Sequence, residues 1–371
     1  MKSLQMQSCV HDEGTIECAL FDIDVPAPSE KEVMVKIEAS PINPSDLGLM
    51  FGAADIDSIR ASERNGHPSI ILDVPPPAMR AMATRINEWL PVGNEACGTV
   101  VEAGASPEAQ ALLGKRVALF GGEMYSNYRT ISVFQCIPLA DDTTPEEGAS
   151  CFVNPMTALG FVETMKMEGH KAIVHTAAAS NLGQMLNRIC LDDGVPLVNV
   201  VRNEEQVALL KGQGAAHVVN SSDDDFADQL AAAVNATGAT IAFDAIGGGK
   251  LGNAILMAME AGAVKRMTEW SRYGSNEYKQ LYIYGALDLA PTTLNRGYGF
   301  SWGIGGWLLT PFMMKAGGEV VRQMQAKVVA ELTTTFASHY SDRVSLAESL
   351  TPQIGSRYGV RRTGQKTLIT L

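Results

Sequence analysis

Lys171-Ala172-Ile173-Val174-His175, then Ala177-Ala178-Ala179-Ser180-Asn181-Leu182-Gly183, then Leu197-Val198-Asn199-Val200-Val201-Arg202, is the run that decides the fold. Its first piece reads as a short buried strand. The second is a turn of small residues. Met185, Leu186, Ile189 and Cys190 then repeat at helical spacing, so a helix separates the turn from a second strand. Strand, small-residue turn, helix, strand is the opening of a dinucleotide-binding βαβ unit. Arg202 ends the second strand 19 positions beyond Gly183, close to the place where such units read the adenosine ribose. An acid there would take the 2′-hydroxyl of NAD. Arginine favours the 2′-phosphate of NADP, because its guanidinium offers a fork of donors to phosphate oxygens.

The full G-x-G-x-x-G fingerprint is absent, since Ser180 and Asn181 stand where glycines are expected and only Gly183 fills its place. Small side chains still admit a pyrophosphate, and a helix N-terminus still supplies N–H donors and partial positive charge. The competing reading is an ordinary strand-to-helix turn followed by a surface arginine.

Working outward, the pattern from about Val153 alternates strand and helix. His217-Val218-Val219-Asn220, Thr240-Ile241-Ala242-Phe243-Asp244 and Gln280 to Tyr284 read as further strands. Alternation of this kind predicts a parallel, doubly wound sheet whose ligands lie at the carboxyl ends of the strands. Those ends include Ala177 to Gly183, Arg202, Asn220, Ile246-Gly247 and Tyr284-Gly285-Ala286. The first 152 residues read differently. Glu32 to Ala39, Gly98 to Gly104 and Lys115 to Phe120 are glycine-bounded strands with few helices between them. The segment 56–92 reads as a long loop with one helix over Ala78 to Leu90. The tail ends in a strand, Lys366 to Thr370, that completes the β-rich part. The expected domains are therefore 1–152 with 332–371, and 153–331 inserted between them.

A chain of 371 residues has room for two such domains. Its formal charge of −12 argues against nucleic acid as a partner. No apolar run is long enough to cross a membrane, the N-terminus lacks a signal-like apolar stretch, and the six cysteines form no C-x-x-C pair. The expectation is a cytoplasmic protein with reduced thiols.

Several further pieces carry a family resemblance. They are Pro41-Ile42-Asn43-Pro44-Ser45-Asp46, Gly93-Asn94-Glu95-Ala96-Cys97-Gly98, Asn154-Pro155-Met156-Thr157-Ala158, Phe243-Asp244-Ala245-Ile246-Gly247-Gly248 and Gly364-Gln365-Lys366-Thr367-Leu368-Ile369. With the small-residue turn and Arg202, in this order, the chain resembles the medium-chain dehydrogenase/reductase superfamily in its zinc-free quinone oxidoreductase and enoyl reductase branches. The resemblance implies an α/β protein: a GroES-like β-rich domain plus a Rossmann doubly wound parallel-sheet domain. It also speaks to zinc. Where zinc-dependent relatives carry Gly-His-Glu, this chain has Gly93-Asn94-Glu95, and an amide is a poor zinc ligand. The earlier ligand cysteine is missing from Asn43-Pro44-Ser45-Asp46, and His67 reads as a loop histidine. No metal is expected. The chemistry left is hydride delivery from NADPH to an electrophilic small molecule, most of it belonging to the cofactor.

The resemblance also implies the site. Asn43 is expected near the nicotinamide ribose, with its amide a candidate donor to a developing oxyanion. An Asx turn before Pro44 is the structural alternative. Asn94 is the second catalytic candidate. Cofactor contacts fall on Asn43, Asn154, Thr157, Ser180, Asn181, Leu182, Gly183, Arg202, Asn220, Ile246, Gly247, Tyr284, Gly285, Ala286 and Lys366, with Arg362 beside the last. Arg60, Arg64, Arg80 and Arg85 form a candidate basic entrance for a phosphate-bearing thioester. The segment 302–310 resembles the family's subunit-contact strand and predicts a homodimer. Three functions stay open: reduction of a quinone, reduction of an activated C=C bond in an enone or enoyl thioester, and NADPH binding without turnover.

Overall fold

In the computed structural model, which describes residues 1–360 and 364–371, the run from Ile173 to Val201 forms the centre of a parallel sheet. Ile173–His175 pairs in parallel with Leu197–Val201 on one side and with Ile241–Asp244 on the other. Across the sheet the order is His217–Asn220, Leu197–Val201, Ile173–His175, Ile241–Asp244, Lys279–Ile283, Trp302–Gly306. Counted along the chain this is 3-2-1-4-5-6, the doubly wound order whose switch point falls beside its first strand. Leu197–Val201 is buried at every position, as a strand covered on both faces must be. Its apolar side chains pack with Val174, Val219, Leu230, Ile255 and Leu281.

The connecting helices follow local rules. Asn181–Asp193 starts at an N-cap, Ser180, and stops at Gly194, which takes the left-handed conformation at φ 66°. Glu204–Gly212 starts at Asn203, whose side chain accepts from Gln206 N–H, and carries Glu204 and Glu205 in its first turn. This compact unit runs from Asn154 to Ala326.

A second compact unit comprises Met1–Val153 and Lys327–Leu371. Among its described residues, one five-stranded sheet is antiparallel throughout, in the order Arg60–Arg64, His67–Asp73, Thr15–Asp24, Lys2–His11, Leu90–Pro91. A second sheet carries Glu32–Pro41 between Glu95–Ala103 and the C-terminal strand Thr367–Thr370. The fold class is therefore α/β, a GroES-like β unit with a Rossmann sheet.

The segment 56–92 differs from its expected form. Arg60–Arg64 and His67–Asp73 make a hairpin closed by Asn65-Gly66, both at positive φ (54° and 77°). Asn-Gly fits that turn because both residues tolerate the left-handed region. The expected helix from Ala78 to Leu90 is instead a short helix, Pro76–Ala81, and a 3-10 turn, Ala83–Arg85. Asn87, at φ 59°, ends helical continuation, and Leu90–Pro91 joins the edge of the sheet.

Candidate functional site

The small-residue turn is shaped by backbone needs. Ala177 sits at φ 50°, and Ser180 Oγ accepts from Gly183 N–H at 3.1 Å. A Cβ on Gly183 would lie 2.2 Å from the Ala178 carbonyl oxygen, so only glycine lets the helix start this close to the strand. Ser180 and Asn181 are half-buried, and Leu182 is buried. Small residues and a capped helix start together hold this turn tight against the strand.

Arg202 lies at the carboxyl end of the adjacent strand and is exposed. Its backbone is pinned. The N–H donates to Gln206 Oε1 at 3.1 Å, and the carbonyl accepts from Ser222 Oγ at 2.8 Å. Among the described residues its guanidinium has no hydrogen-bond or ion-pair partner, so the fork stays available. Asn220 has a different job. Its amide donates to Glu204 Oε1 (3.0 Å) and Asp223 Oδ1 (2.7 Å), while its own oxygen accepts from Ser222 N–H. With its donors committed to carboxylates, Asn220 braces the turn beside Arg202.

The ends of the fourth and fifth strands meet at a group that sequence reading did not weigh, Asp244. One carboxylate oxygen accepts from Thr176 Oγ1 (2.7 Å) and Ile246 N–H (2.9 Å), the other from Gly247 N–H (3.2 Å). Gly247 lies at φ 77°, and a Cβ there would sit 2.8 Å from the Gly285 carbonyl. The structure thus brings Ile246, Gly247, Gly285 and Ala286 together. Tyr284 turns its hydroxyl to His175 Nε2 at 2.8 Å. Burial holds that imidazole neutral, with its pKa pushed down to about 3. Asn154 and Thr157 are buried in the first turns of the helix Val153–Met167.

In the β-rich unit, Asn43 is almost fully enclosed. It caps the helix Pro44–Met50 in a reciprocal box with Asp46, and its amide donates to Glu95 Oε1 at 2.8 Å. Glu95 Oε2 accepts from Phe152 N–H (2.9 Å) and Val153 N–H (2.8 Å). Because a carboxylate so placed only accepts, the Asn43 amide nitrogen must face Glu95. Burial raises the Glu95 carboxyl, an effect opposed by the Lys366 charge and these N–H donors. Lys366 is turned inward. Its ammonium donates to Ser150 Oγ (2.7 Å), which shares a 2.7 Å bond with the Tyr340 hydroxyl. Burial pulls its pKa down to about 8, against the pull of Glu95 and Asp46. Asn94 is half-buried and donates to Ser45 Oγ at 3.0 Å. Glu95, Ser150 and Tyr340 are the partners that sequence reading did not single out. Only Glu95, inside the quoted Gly-Asn-Glu segment, had a signal. Arg362 lies outside the described residues.

The basic entrance does not form as expected. Arg60 pairs with Asp73 at 2.9 Å, Arg64 grips Glu17 with two bonds, and Arg85 donates to the Leu49 carbonyl at 2.8 Å. Arg60 and Arg64 are thus paired with carboxylates, Arg85 keeps its charge on a neutral carbonyl, and Arg80 is exposed. A zinc site does not fit the residues either. Asn94 and Ser45, amide and hydroxyl, are weak ligands, and among the described residues no three of His, Cys, Asp and Glu gather as a metal would need.

Comparison with known proteins bears on the family and the fold. A family profile described as "Zinc-binding dehydrogenase" matches residues 181–265, within the Rossmann unit. A mitochondrial enoyl-[acyl-carrier-protein] reductase from Xenopus tropicalis is 24% identical over 216 residues, 56% of this chain and 53% of that protein. The chain thus spans about half the length of that curated relative. A Mesorhizobium loti protein provisionally assigned as an NADPH:quinone reductase is 27% identical, with TM-score 0.73 over 100% of this chain and 98% of that one. The complex of Etr1p with NADP and crotonyl-CoA shares the fold at TM-score 0.69 and 19% identity, over the whole of both chains. These likenesses are to enzymes of the medium-chain dehydrogenase/reductase superfamily.

Proposed function

We propose that this protein is an NADPH-dependent reductase that passes hydride to a quinone-type acceptor without zinc. One observation carries the reading. At the ribose-reading position of a 3-2-1-4-5-6 sheet stands an exposed guanidinium with no described internal partner, its backbone anchored by Gln206 and Ser222. NADPH, when bound, supplies the hydride. The chain's own part is to hold it. The turn Ser180, Asn181, Leu182 and Gly183 receives the pyrophosphate at a capped helix start, Arg202 grips the 2′-phosphate, and Asn220 braces that corner. Asp244 sets Ile246 and Gly247 beside Gly285 and Ala286, a floor for the nicotinamide, with Tyr284, Asn154 and Thr157 as further contacts. Asn43, Asn94 and Lys366 are the proposed contribution of the β-rich unit.

A second reading, reduction of an activated C=C bond, is favoured by the similarity to mitochondrial enoyl-[acyl-carrier-protein] reductases. The pairing of Arg60 with Asp73 and of Arg64 with Glu17 weighs against a CoA-sized entrance at that hairpin. The test is NADPH oxidation by the purified protein over quinones, small enones and enoyl thioesters. Turnover with quinones and none with thioesters is the expected result. Saturable NADPH binding with no oxidation by any acceptor would replace both readings with a non-catalytic one.

A further inference from the structure

Asp46 is 2% exposed, and its carboxyl presents a hydrogen-bonding problem that the cofactor reading does not touch. Oδ2 accepts from Asn43 N–H at 2.8 Å. Oδ1 is buried with no hydrogen bond of acceptable geometry. A buried charged oxygen without a donor is costly. Tyr125 lies beside this carboxyl, and its hydroxyl donates to the Pro41 carbonyl at 3.0 Å. Tyr125 is itself fully enclosed and its oxygen can still accept. One arrangement satisfies every group. Tyr125 donates to Pro41, Asn43 donates to Oδ2, and a proton on Oδ1 is donated to Tyr125.

We propose that Asp46 carries a proton on Oδ1 in mildly acidic solution and sheds it around neutrality, and that this proton, held against Tyr125, is what positions the Pro41–Asp46 turn carrying Asn43. The charges around it agree. Burial is the largest influence and raises the carboxyl to about 7, with the Glu95 charge adding to the rise. The Asn43 and Asn94 amides and Tyr125 oppose it, and Lys366 faces both acids from the C-terminal strand. Asp46 is a positioning residue here, acting through Asn43, and its link to cofactor binding rests on the function proposed above.

The sign follows from linkage. A carboxyl raised from its usual value of about 4 favours the folded state most when protonated. Its contribution is complete below about pH 4 and is lost as pH rises through about 7. The test compares wild type with Asp46→Asn, in which the side-chain amide donates to Tyr125 and the oxygen still accepts from Asn43. Infrared spectra of the cofactor-free protein should show a protonated-carboxyl band that fades as pH rises through about 7 and is missing from Asp46→Asn. Denaturant midpoints should fall between about pH 5 and about pH 9 in wild type and stay nearly level, for this group's share, in the variant. The NADPH KM should rise by up to tenfold per pH unit above the transition in wild type only, with kcat less affected. If Asp46→Asn fails to fold, Tyr125→Phe carries the test: without its acceptor, the carboxyl band should move in frequency. A wild type without the band, or an Asp46→Asn protein weakened equally at both pH values, would show an ionised helix cap and overturn the proposal. The infrared arm needs no cofactor, so it can fail or succeed independently of NADPH turnover.

Discussion

Arg202 is the residue on which the cofactor reading turns, and its surroundings sharpen the expectation. Glu204 and Asp223 flank the same turn, and the Asn220 amide donates to both. Arg202→Ala should weaken NADPH binding by about 2–3 kcal/mol and leave NADH nearly unchanged, as coenzyme titrations would read. Equal loss for both coenzymes would place the residue away from the 2′-phosphate. The position of Arg202 was legible from spacing alone. The occupation of Asn220 was not, because Glu204 and Asp223 reach it from two different turns. Asn43 shows the same limit. Its place before Pro44 signalled a cap, whereas its pairing with Glu95 joins positions 52 apart in the chain.

At the scale of elements, the decisive contact is between the helix Asn181–Asp193 and the strand before it. Gly183→Ala would force a Cβ against the Ala178 carbonyl, where only backbone can give way. A loss of about 1–3 kcal/mol is expected in denaturant unfolding, along with weakened NADPH binding. Wild-type stability in that variant would mean the turn relaxes and does not set the phosphate site. The hairpin Arg60–Arg64/His67–Asp73 teaches the opposite lesson. Asn65-Gly66 is a strong short-range turn signal, so the strands were written in the sequence although the segment reads at first as a long loop. Their pairing partner, Thr15–Asp24, was not written there, since antiparallel neighbours are chosen by which faces need covering.

For the whole molecule, the sheet edge matters most. Among the described residues, Trp302–Gly306 pairs on one side only, with Lys279–Ile283, and leaves a row of backbone groups for a partner. Ile304 is 39% exposed on that edge. We propose that a second copy covers it through residues 302–310. Light scattering should report a dimer, and Ile304→Lys should give a folded monomer with unchanged circular dichroism. A monomeric wild type would remove the proposal. A global measurement follows from the thiols. All six cysteines are free and buried, and burial pushes Cys18, Cys97, Cys136 and Cys190 up to about 12. Ellman's reagent should therefore label the native protein only at its unfolding rate, with rapid reaction on addition of denaturant.

The sequence by itself determined the alternation of strand and helix, the turn of small residues and the arginine at its set distance. These are properties of neighbours along the chain, governed by period, spacing and side-chain chemistry. Only the tertiary structure decided which cations were already neutralised, which carboxylate bound Thr176, Ile246 and Gly247, and which acid lay buried with an unpaired oxygen. Those depend on burial and on partners from remote strands, where loss of water sets the energy of every polar group and no local pattern announces it.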